Sequence, residues 1–339
     1  MALLTSNNLT LADWSKRLDP DGKVPAIAEL LQQTNAILED AVFVEGNLPT
    51  GHRVSIRTGL PTVYYRSINQ GVPPSKSQTA TVDEPCGILE GRSHIDVELA
   101  KLNGNTAEFR MSEDVAFLDA MNIAQAGAMI YGNPATDPRQ FLGFQTRYSS
   151  LSAGNAQNIL DAGGTGSNNT SIWLVVWGDH TVFCPFPKGS QAGLQHQDLG
   201  EESVNDANGN PYQALRTLYQ WKNGLAVKDW RYVVRIANIN VSDLTGQSGT
   251  QTAAAATQII HLMSRALDRV PSLARGRAVL YANRTVHSML KIAALNKSAN
   301  ALSIEQGLSQ FGTPTQDLKF LGVPLRKVDQ ILNTETRVV

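Results

Sequence analysis

The stretch from residue 51 to residue 83 constrains the fold more than any other part of the chain. Polar and apolar side chains alternate over Arg53–Arg57 and over Thr62–Arg66, which predicts two extended segments. The connection Asn69–Ser77 is rich in Gly, Pro and Ser, and Thr79–Val82 predicts a return strand. This is a long hairpin with few large apolar side chains, and an isolated two-stranded hairpin is at best marginally stable in water. We therefore expect the hairpin to lie on another surface.

The ionisable side chains within this hairpin are all of one sign. No acidic residue occurs between Glu45 and Asp83. The cations in that interval that belong to the hairpin are Arg53, Arg57, Arg66 and Lys76.

A long amphipathic helix is predicted from Thr106 to Tyr131, with Gly132 as a left-handed cap at its C-terminus. The residues at helical spacing, which predict its buried side, are Leu118, Met121, Gln125, Ala128 and Tyr131. Acidic residues give its N-terminal half an acidic face, which also suits the helix dipole. They are Glu113, Asp114 and Asp119. Such a face is most often simply solvated.

The rest of the chain mixes predicted helices and strands, which indicates an α+β fold. The further predicted helices are Leu9–Leu18, Val24–Leu38, Ala253–Val270 and Thr285–Leu295. The predicted strands are Ile172–Trp177, Thr181–Phe183, Ala214–Trp221, Leu225–Ala237, Ala278–Ala282 and most of Leu321–Leu332. Asn223 and Gly224 separate two apolar runs and predict a type I′ hairpin turn, because that turn needs positive φ at both of its central residues.

The charge balance excludes several function classes. Asp, Glu, Lys and Arg make up 17% of the chain, with a formal net charge of -1. Typical globular proteins contain roughly 25% of these residues, and a dedicated nucleic-acid binder is normally basic. Cys86 and Cys184 are the only cysteines and cannot form a disulfide framework. The sequence predicts neither a membrane helix nor a signal peptide.

No pattern of catalytic or metal-binding residues is convincing. The glycine run Gly163–Gly166 lacks the Lys-Ser/Thr of a phosphate-binding loop, and no nucleophile elbow is present. The candidate metal ligands match no zinc spacing; they are His180, Cys184, His196 and Asp198. We therefore predict no catalytic, cofactor or metal site, and a protein that is not an enzyme.

The order of short motifs along the chain resembles the major capsid proteins of tailed bacteriophages, which share the HK97-like fold. The likeness is greatest to a subgroup found in short-tailed phages. The segments that carry it are Arg17–Gly22, Val44–Asn47, Thr58–Val63, Asn69–Val72, Ile130–Asn133, Ser171–Gly178, Asp229–Ile236, Ala278–Thr285 and Leu321–Leu325.

This resemblance implies a division into the parts that are typical of the family. Residues 1–50 would be an N-terminal arm and helix, and residues 51–90 the E-loop hairpin. Residues 91–245 would be a P-domain that contains the spine helix 106–131, and residues 246–339 an α/β block like an A-domain. In most of the family the A-domain follows the spine helix directly, so we expect a permuted strand connectivity here.

The resemblance also implies a function and a set of partners. Copies of the chain would assemble, as hexamers and pentamers, into an icosahedral shell that encloses a double-stranded DNA genome without sequence-specific binding. Scaffolding, portal and cement or decoration proteins would be further partners, and no cofactor or membrane is implied. The shell would be part of the virion and would assemble in the cytoplasm of the bacterial host.

In such a shell, we expect the basic hairpin to lie across the acidic face of a neighbouring subunit's spine helix. A solvated hairpin with incidental arginines is the simpler alternative for these residues. Two alternatives remain for the whole protein: an encapsulin-like nanocompartment shell and a soluble α+β enzyme of small oligomeric state.

Overall fold

The structure is a computed structural model that describes residues 33–102, 106–206, 208–245, 249–295, 302–308 and 314–339. These residues divide between two compact units. The smaller unit contains Ile88–Gln125 and Gly193–Lys222, and the larger unit contains Thr34–Gly87, Ala126–Ala192 and Asn223–Val339. The chain passes between the units several times, so neither unit is one continuous stretch of sequence.

The described elements alternate between helices and strands, as an α+β fold requires. The α-helices are α1 Ile37–Asp40, α2 Val97–Lys101, α3 Thr106–Tyr131, α4 Phe144–Arg147, α5 Val241–Thr245, α6 Gly249–Arg269 and α7 Arg284–Leu295. The strands are β1 Phe43–Glu45, β2 Gly51–Gly59, β3 Gln78–Asp96, β4 Ile159–Asp161, β5 Asn169–Trp177, β6 Val182–Phe186, β7 Leu194–Asn205, β8 Pro211–Gly224, β9 Ala226–Val227, β10 Val233–Asn240, β11 Arg277–Ala282, β12 Leu302–Leu308, β13 Pro314–Phe320 and β14 Val323–Lys327.

The larger unit is built on a ten-stranded mixed sheet with β5 near its middle. The main strand order is β1-β6-β5-β11-β14-β13-β12, and β10 pairs antiparallel with β5 and parallel with β4. Every residue of β5 is buried. A strand that is covered on both faces has a nearly continuous apolar sequence, which explains the run Ile172–Trp177.

Hydrophobic cores lie on both faces of this sheet. Ile172, Leu174 and Val176 face a cluster to which α6 and α7 contribute, including Met263 and Val286. The intervening residues of β5 face a second cluster, to which the last two turns of α3, α4 and their neighbours contribute. The residues of that second cluster on these elements are Trp173, Val175, Trp177, Ala126, Met129, Ile130, Phe144 and Tyr148. Helices on both sides therefore hold the sheet between them.

The smaller unit contains the first part of α3 and the antiparallel pair β7–β8. Its apolar cluster is small, and Phe109 of α3 lies in it beside Ile95 and Leu99. Phe117, two turns further along the helix, stacks on Tyr219 of β8 with ring centroids 5.4 Å apart. These contacts fix which side of α3 is turned toward the strands.

Periodicity predicted several elements well. The helix predicted at 106–131 has those same bounds, and β5, β11, α6 and α7 lie where strands and helices were expected. The predicted helix at 9–18 lies outside the described residues. Of the predicted helix at 24–38, only the last residues are described, and the helix there is the single turn Ile37–Asp40.

Two glycine predictions were wrong. Gly132 does not adopt a positive φ. Instead, a Cβ at this position would lie 2.4 Å from the Phe141 carbonyl oxygen, so glycine is required by close packing. Asn223 and Gly224 do not have positive φ either, and β8 continues through Gly224, where a Cβ would lie 2.7 Å from the Pro85 carbonyl oxygen.

The single strand predicted at 225–237 was also wrong. β9 ends at Val227, a 3₁₀ turn follows at Trp230–Tyr232, and β10 begins at Val233. The Asp229 carboxylate accepts a hydrogen bond from the backbone N–H of Arg231, which favours the turn over a continuous strand.

Candidate assembly surfaces

The hairpin at residues 51–83, called the hairpin arm below, is formed by β2 and the start of β3. The two strands pair antiparallel, with Arg53 opposite Asp83 and Arg57 opposite Thr79. Residues 60–77 between them have no regular secondary structure. The expected long hairpin is therefore present, with an extended tip.

The tip of the arm carries a series of exposed large apolar side chains, so the expectation of few such residues was wrong. Leu60, Val63 and Ile68 are 82%, 86% and 91% exposed. Tyr64, Tyr65 and Val72 are also exposed. Soluble proteins rarely leave contiguous apolar surface uncovered unless it is an interaction site, so the arm tip has the character of an interface.

The cations of the arm are not equivalent. Arg53 donates to both carboxylate oxygens of Asp83, at 2.6 and 2.7 Å, and this hydrogen bonding lowers the pKa of Asp83. Arg53 thus links the two strands of its own hairpin. The sequence had not indicated Asp83 as its partner. Arg57, Arg66 and Lys76 are exposed.

The acidic residues of α3 do not form one face, contrary to the prediction. Successive residues of a helix are rotated by about 100°, so Glu113, Asp114 and Asp119 point in three directions around the axis. Asp114 lies on the side of α3 that faces the strands, where its carboxylate accepts a hydrogen bond from the Tyr219 hydroxyl. One oxygen of Asp119, Oδ2, is buried and has no hydrogen-bond partner in the described part of the chain.

The strand-facing side of α3 is held by polar and aromatic contacts. Arg110 forms an ion pair of 2.8 Å with Asp198 of β7. Asp114 and Phe117 follow at positions four and seven residues later, and both contact Tyr219. This side of the helix is therefore already occupied within the chain.

A different side of α3 is apolar and exposed. Met111, Val115 and Leu118 are 69%, 36% and 41% exposed, so the expectation that Leu118 lies on the buried side was wrong. Their spacing of four and three residues places them in one line along the helix. We call this line the apolar stripe. Glu108 and Asp119 lie along one side of it, since they lie three residues before Met111 and four after Val115.

The described residues were predicted to hold no metal site, and the placement of their His, Cys, Asp and Glu side chains bears on this. Within the described residues, no three His, Cys, Asp or Glu side chains come together in a way that could hold a metal ion. Of the residues considered above for a metal site, His196 and Asp198 lie on β7, whereas Cys184 lies buried on β6. No described helix is long and apolar enough to cross a membrane.

Comparisons with known proteins agree with one another. Residues 19–339 match the model of a family described as Major capsid protein GP7. A chain in the near-atomic-resolution structure of bacteriophage Epsilon15 is 33% identical over 100% of this chain and 99% of that chain, with a TM-score of 0.74. No curated protein sequence matches.

Two further solved structures are more distant. The capsid of bacteriophage JBD30 is 8% identical over 92% of this chain and 99% of that chain, with a TM-score of 0.49. The capsid of a native GTA particle is 11% identical over 68% of this chain and 99% of that chain, with a TM-score of 0.46.

Proposed function

Because the chain belongs to the major capsid protein GP7 family and so forms the shell of a tailed bacteriophage, we propose that its copies are held together through the hairpin arm. The apolar arm tip of one copy covers the apolar stripe on α3 of a neighbouring copy. The observation that carries this proposal is the exposed apolar side chains of the tip, among them Leu60, Val63 and Ile68. Contiguous exposed apolar surface of this kind usually marks an interaction site.

Apolar burial supplies most of the attraction in this contact. Complete burial of one large apolar side chain contributes about 1.5–3 kcal/mol. An exposed ion pair contributes only about 0–1 kcal/mol. Several tip residues would together outweigh every charge on the arm, and the same contact repeated around a closed shell adds avidity.

The charges then define how the arm lies on the helix. Arg66 and Lys76 are exposed near the tip, and Glu108 and Asp119 lie along one side of the apolar stripe. Opposite charges on two docking surfaces fix register and speed encounter more than they add affinity. This replaces the expected pairing with a single acidic face, since Asp114 is already bonded to Tyr219.

Further features of the shell are proposed from family membership. Copies of the chain would form hexamers and pentamers, and scaffolding, portal and cement or decoration proteins would be further partners. Assembly would take place in the cytoplasm of the host. The shell would enclose DNA without sequence-specific contacts, which suits a chain of net charge -1. The limits 1–50, 51–90, 91–245 and 246–339 stay our proposal for the parts of the shell subunit.

The experiment compares two arm-tip variants. Leu60→Ser, Val63→Ser and Ile68→Ser together remove the apolar tip at exposed positions, so the subunit is expected to fold but to sediment as a small species. The matched control, Leu60→Met, Val63→Ile and Ile68→Leu, keeps the tip apolar and is expected to form shells. Normal shells from the serine variant, seen by electron microscopy and sedimentation velocity, would overturn the proposal.

A further inference from the structure

A second docking surface lies at the root of the hairpin arm. A groove of about 560 Å³ runs beside the outer edge of β2. One wall is formed by residues 55–60, and the other by His180 and residues 228–231. All of these residues belong to the larger unit.

Within the described part of the chain, the edge of β2 in this groove pairs with no other strand. At Arg53, both backbone groups bond outward to the Asn47 side chain, its N–H donating to Oδ1 at 2.7 Å and its C=O accepting from Nδ2 at 2.9 Å. Backbone groups of alternate residues in a strand point to the same side, so Ser55 and Arg57 also present theirs outward. The Asn47 side chain thus occupies the edge of β2 at Arg53, and no described strand pairs with this edge at Ser55 and Arg57. A strand edge without a partner is a template for another strand.

The groove is also positively charged. Arg57, Lys228 and Arg231 line it, and Asp229 is the one carboxylate among the lining residues. That carboxylate is held by Arg231, whose Nη2 donates to Asp229 Oδ2 at 2.7 Å. An incoming strand with exposed acidic side chains would therefore match the groove.

We propose that strand β7 of a second copy of this chain adds to the edge of β2 in this groove. The proposal deepens the proposed function, since it rests on the assembly of copies into a shell. β7 has its own open edge, because it pairs with β8 alone among the described strands. It spans 12 residues, which is enough to cover Ser55–Gly59.

The negative charge of β7 complements the positive charge of the groove. Its acidic residues are Asp198, Glu201 and Glu202, and it contains neither Lys nor Arg. Asp198 and Glu202 already form ion pairs with Arg110 and Arg216. Glu201 is exposed and is left to meet a cation of another copy.

Such a contact joins two different surfaces, the edge of β2 on one copy and the edge of β7 on the next, and every copy carries both. Interfaces of this head-to-tail kind close into rings when the rotation between copies allows it. The strand addition would therefore link neighbours around a ring, and the arm tip would reach α3 as a separate contact.

A charge swap tests the pairing of Arg57 with Glu201. Arg57→Glu and Glu201→Arg are each expected to lower the yield of shells at least about tenfold, since like charges facing each other across an interface cost several kcal/mol. The double variant restores opposite charges and is expected to recover shells. Asp268→Arg, at an exposed site on α6, controls for the change in net charge that Glu201→Arg makes. A double variant that assembles no better than the singles would overturn the pairing.

Hydrogen–deuterium exchange tests the strand addition itself. The amides of Ser55 and Arg57 are expected to exchange fast in the unassembled subunit and slowly in shells. Unchanged exchange in shells would overturn the proposal, as would protection that disappears when residues 1–32 are deleted, because the terminal segment would then be the occupant. The arm-tip serine variant separates the two ideas: if it blocks assembly while the amides of Ser55 and Arg57 exchange equally fast in the unassembled subunit and in wild-type shells, the strand addition is wrong and the proposed function stands.

Discussion

Arg235 Nη2 donates to Glu335 Oε2 at 2.9 Å, and the two side chains are 1% and 2% exposed. The pair joins the central strand β10 to a segment 100 residues further along the chain. Arg235 also donates to the Ser171 hydroxyl and to the Tyr148 carbonyl oxygen, and its guanidinium lies 5.0 Å from the centre of the Trp173 ring. The C-terminal segment is therefore fastened to the core by a buried charge.

Removing this carboxylate should strongly destabilise the subunit. Glu335→Ala leaves the Arg235 charge buried without compensation, which costs about 3–5 kcal/mol in the free energy of unfolding. Arg139→Ala breaks the pair with Asp137, in which the arginine is largely exposed, and should cost no more than about 1 kcal/mol. Urea unfolding of the unassembled subunit measures both values, and equal losses would contradict the role given to the buried pair.

A second, partly buried ion pair holds the root of the hairpin arm. Arg147 of α4 donates to both oxygens of Glu84, at 2.8 and 2.6 Å, and to the Leu225 carbonyl oxygen. Lysine cannot reproduce this planar arrangement of donors. Arg147→Lys should therefore destabilise the subunit by about 1–3 kcal/mol and speed proteolytic cleavage between residues 60 and 77. Unchanged cleavage and unfolding would show that the pair does not hold the arm.

Burial predicts a loss of stability in mild acid. Burial lowers the pKa of His52, His94 and His287 below the ordinary value of 6.5. The folded state favours their neutral forms, so their contribution is complete above pH 6.5 and is lost as the pH falls below it. Carboxylates with a lowered pKa, such as Asp83, lose theirs only below their ordinary value of 3.8.

Between pH 6.5 and pH 3.8, the histidines lose their contribution to stability before the carboxylates do. The free energy of unfolding of the unassembled subunit should be smaller at pH 5.5 than at pH 7.5, and His94→Gln should reduce that difference. A subunit that is equally stable at the two pH values would contradict this assignment.

Close packing at Gly132 gives a further prediction. A Cβ there would lie 2.4 Å from the Phe141 carbonyl oxygen, whereas a Cβ at Gly71 would meet nothing within 4 Å. Gly132→Ala should destabilise the subunit by about 1–3 kcal/mol, and Gly71→Ala, the matched control, should not. Thermal unfolding compares them, and a neutral Gly132→Ala would show that the helix end can move aside.

Local patterns predicted the elements that depend on local periodicity. Helix α3 and strand β5 were found because their apolar residues follow helical spacing or form one buried run. The Asn-Gly turn failed because Asn223 is buried and Gly224 lies against Pro85, a contact made through tertiary packing. The Arg235–Glu335 pair has no local signal at all, since its partners are far apart in sequence.

The candidate interfaces were only partly visible in the sequence. The one-signed charge of the arm was clear, but the intramolecular partner of Arg53 depends on the register of β2 and β3. The apolar residues of the tip, Leu60, Val63, Tyr65 and Ile68, can be read directly from the chain, but their exposure cannot. The acidic face of α3 failed on helix geometry, because residues 113, 114 and 119 do not share a side.

The most direct measurement is a cryo-electron microscopy map of the assembled shell at side-chain resolution. We predict that Val63, Tyr65 and Ile68 of one copy lie within about 4.5 Å of Met111 or Leu118 on α3 of a neighbour, the distance of apolar contact. An arm tip that faces solvent, or that rests on another part of the neighbour while the apolar stripe stays exposed, would contradict it.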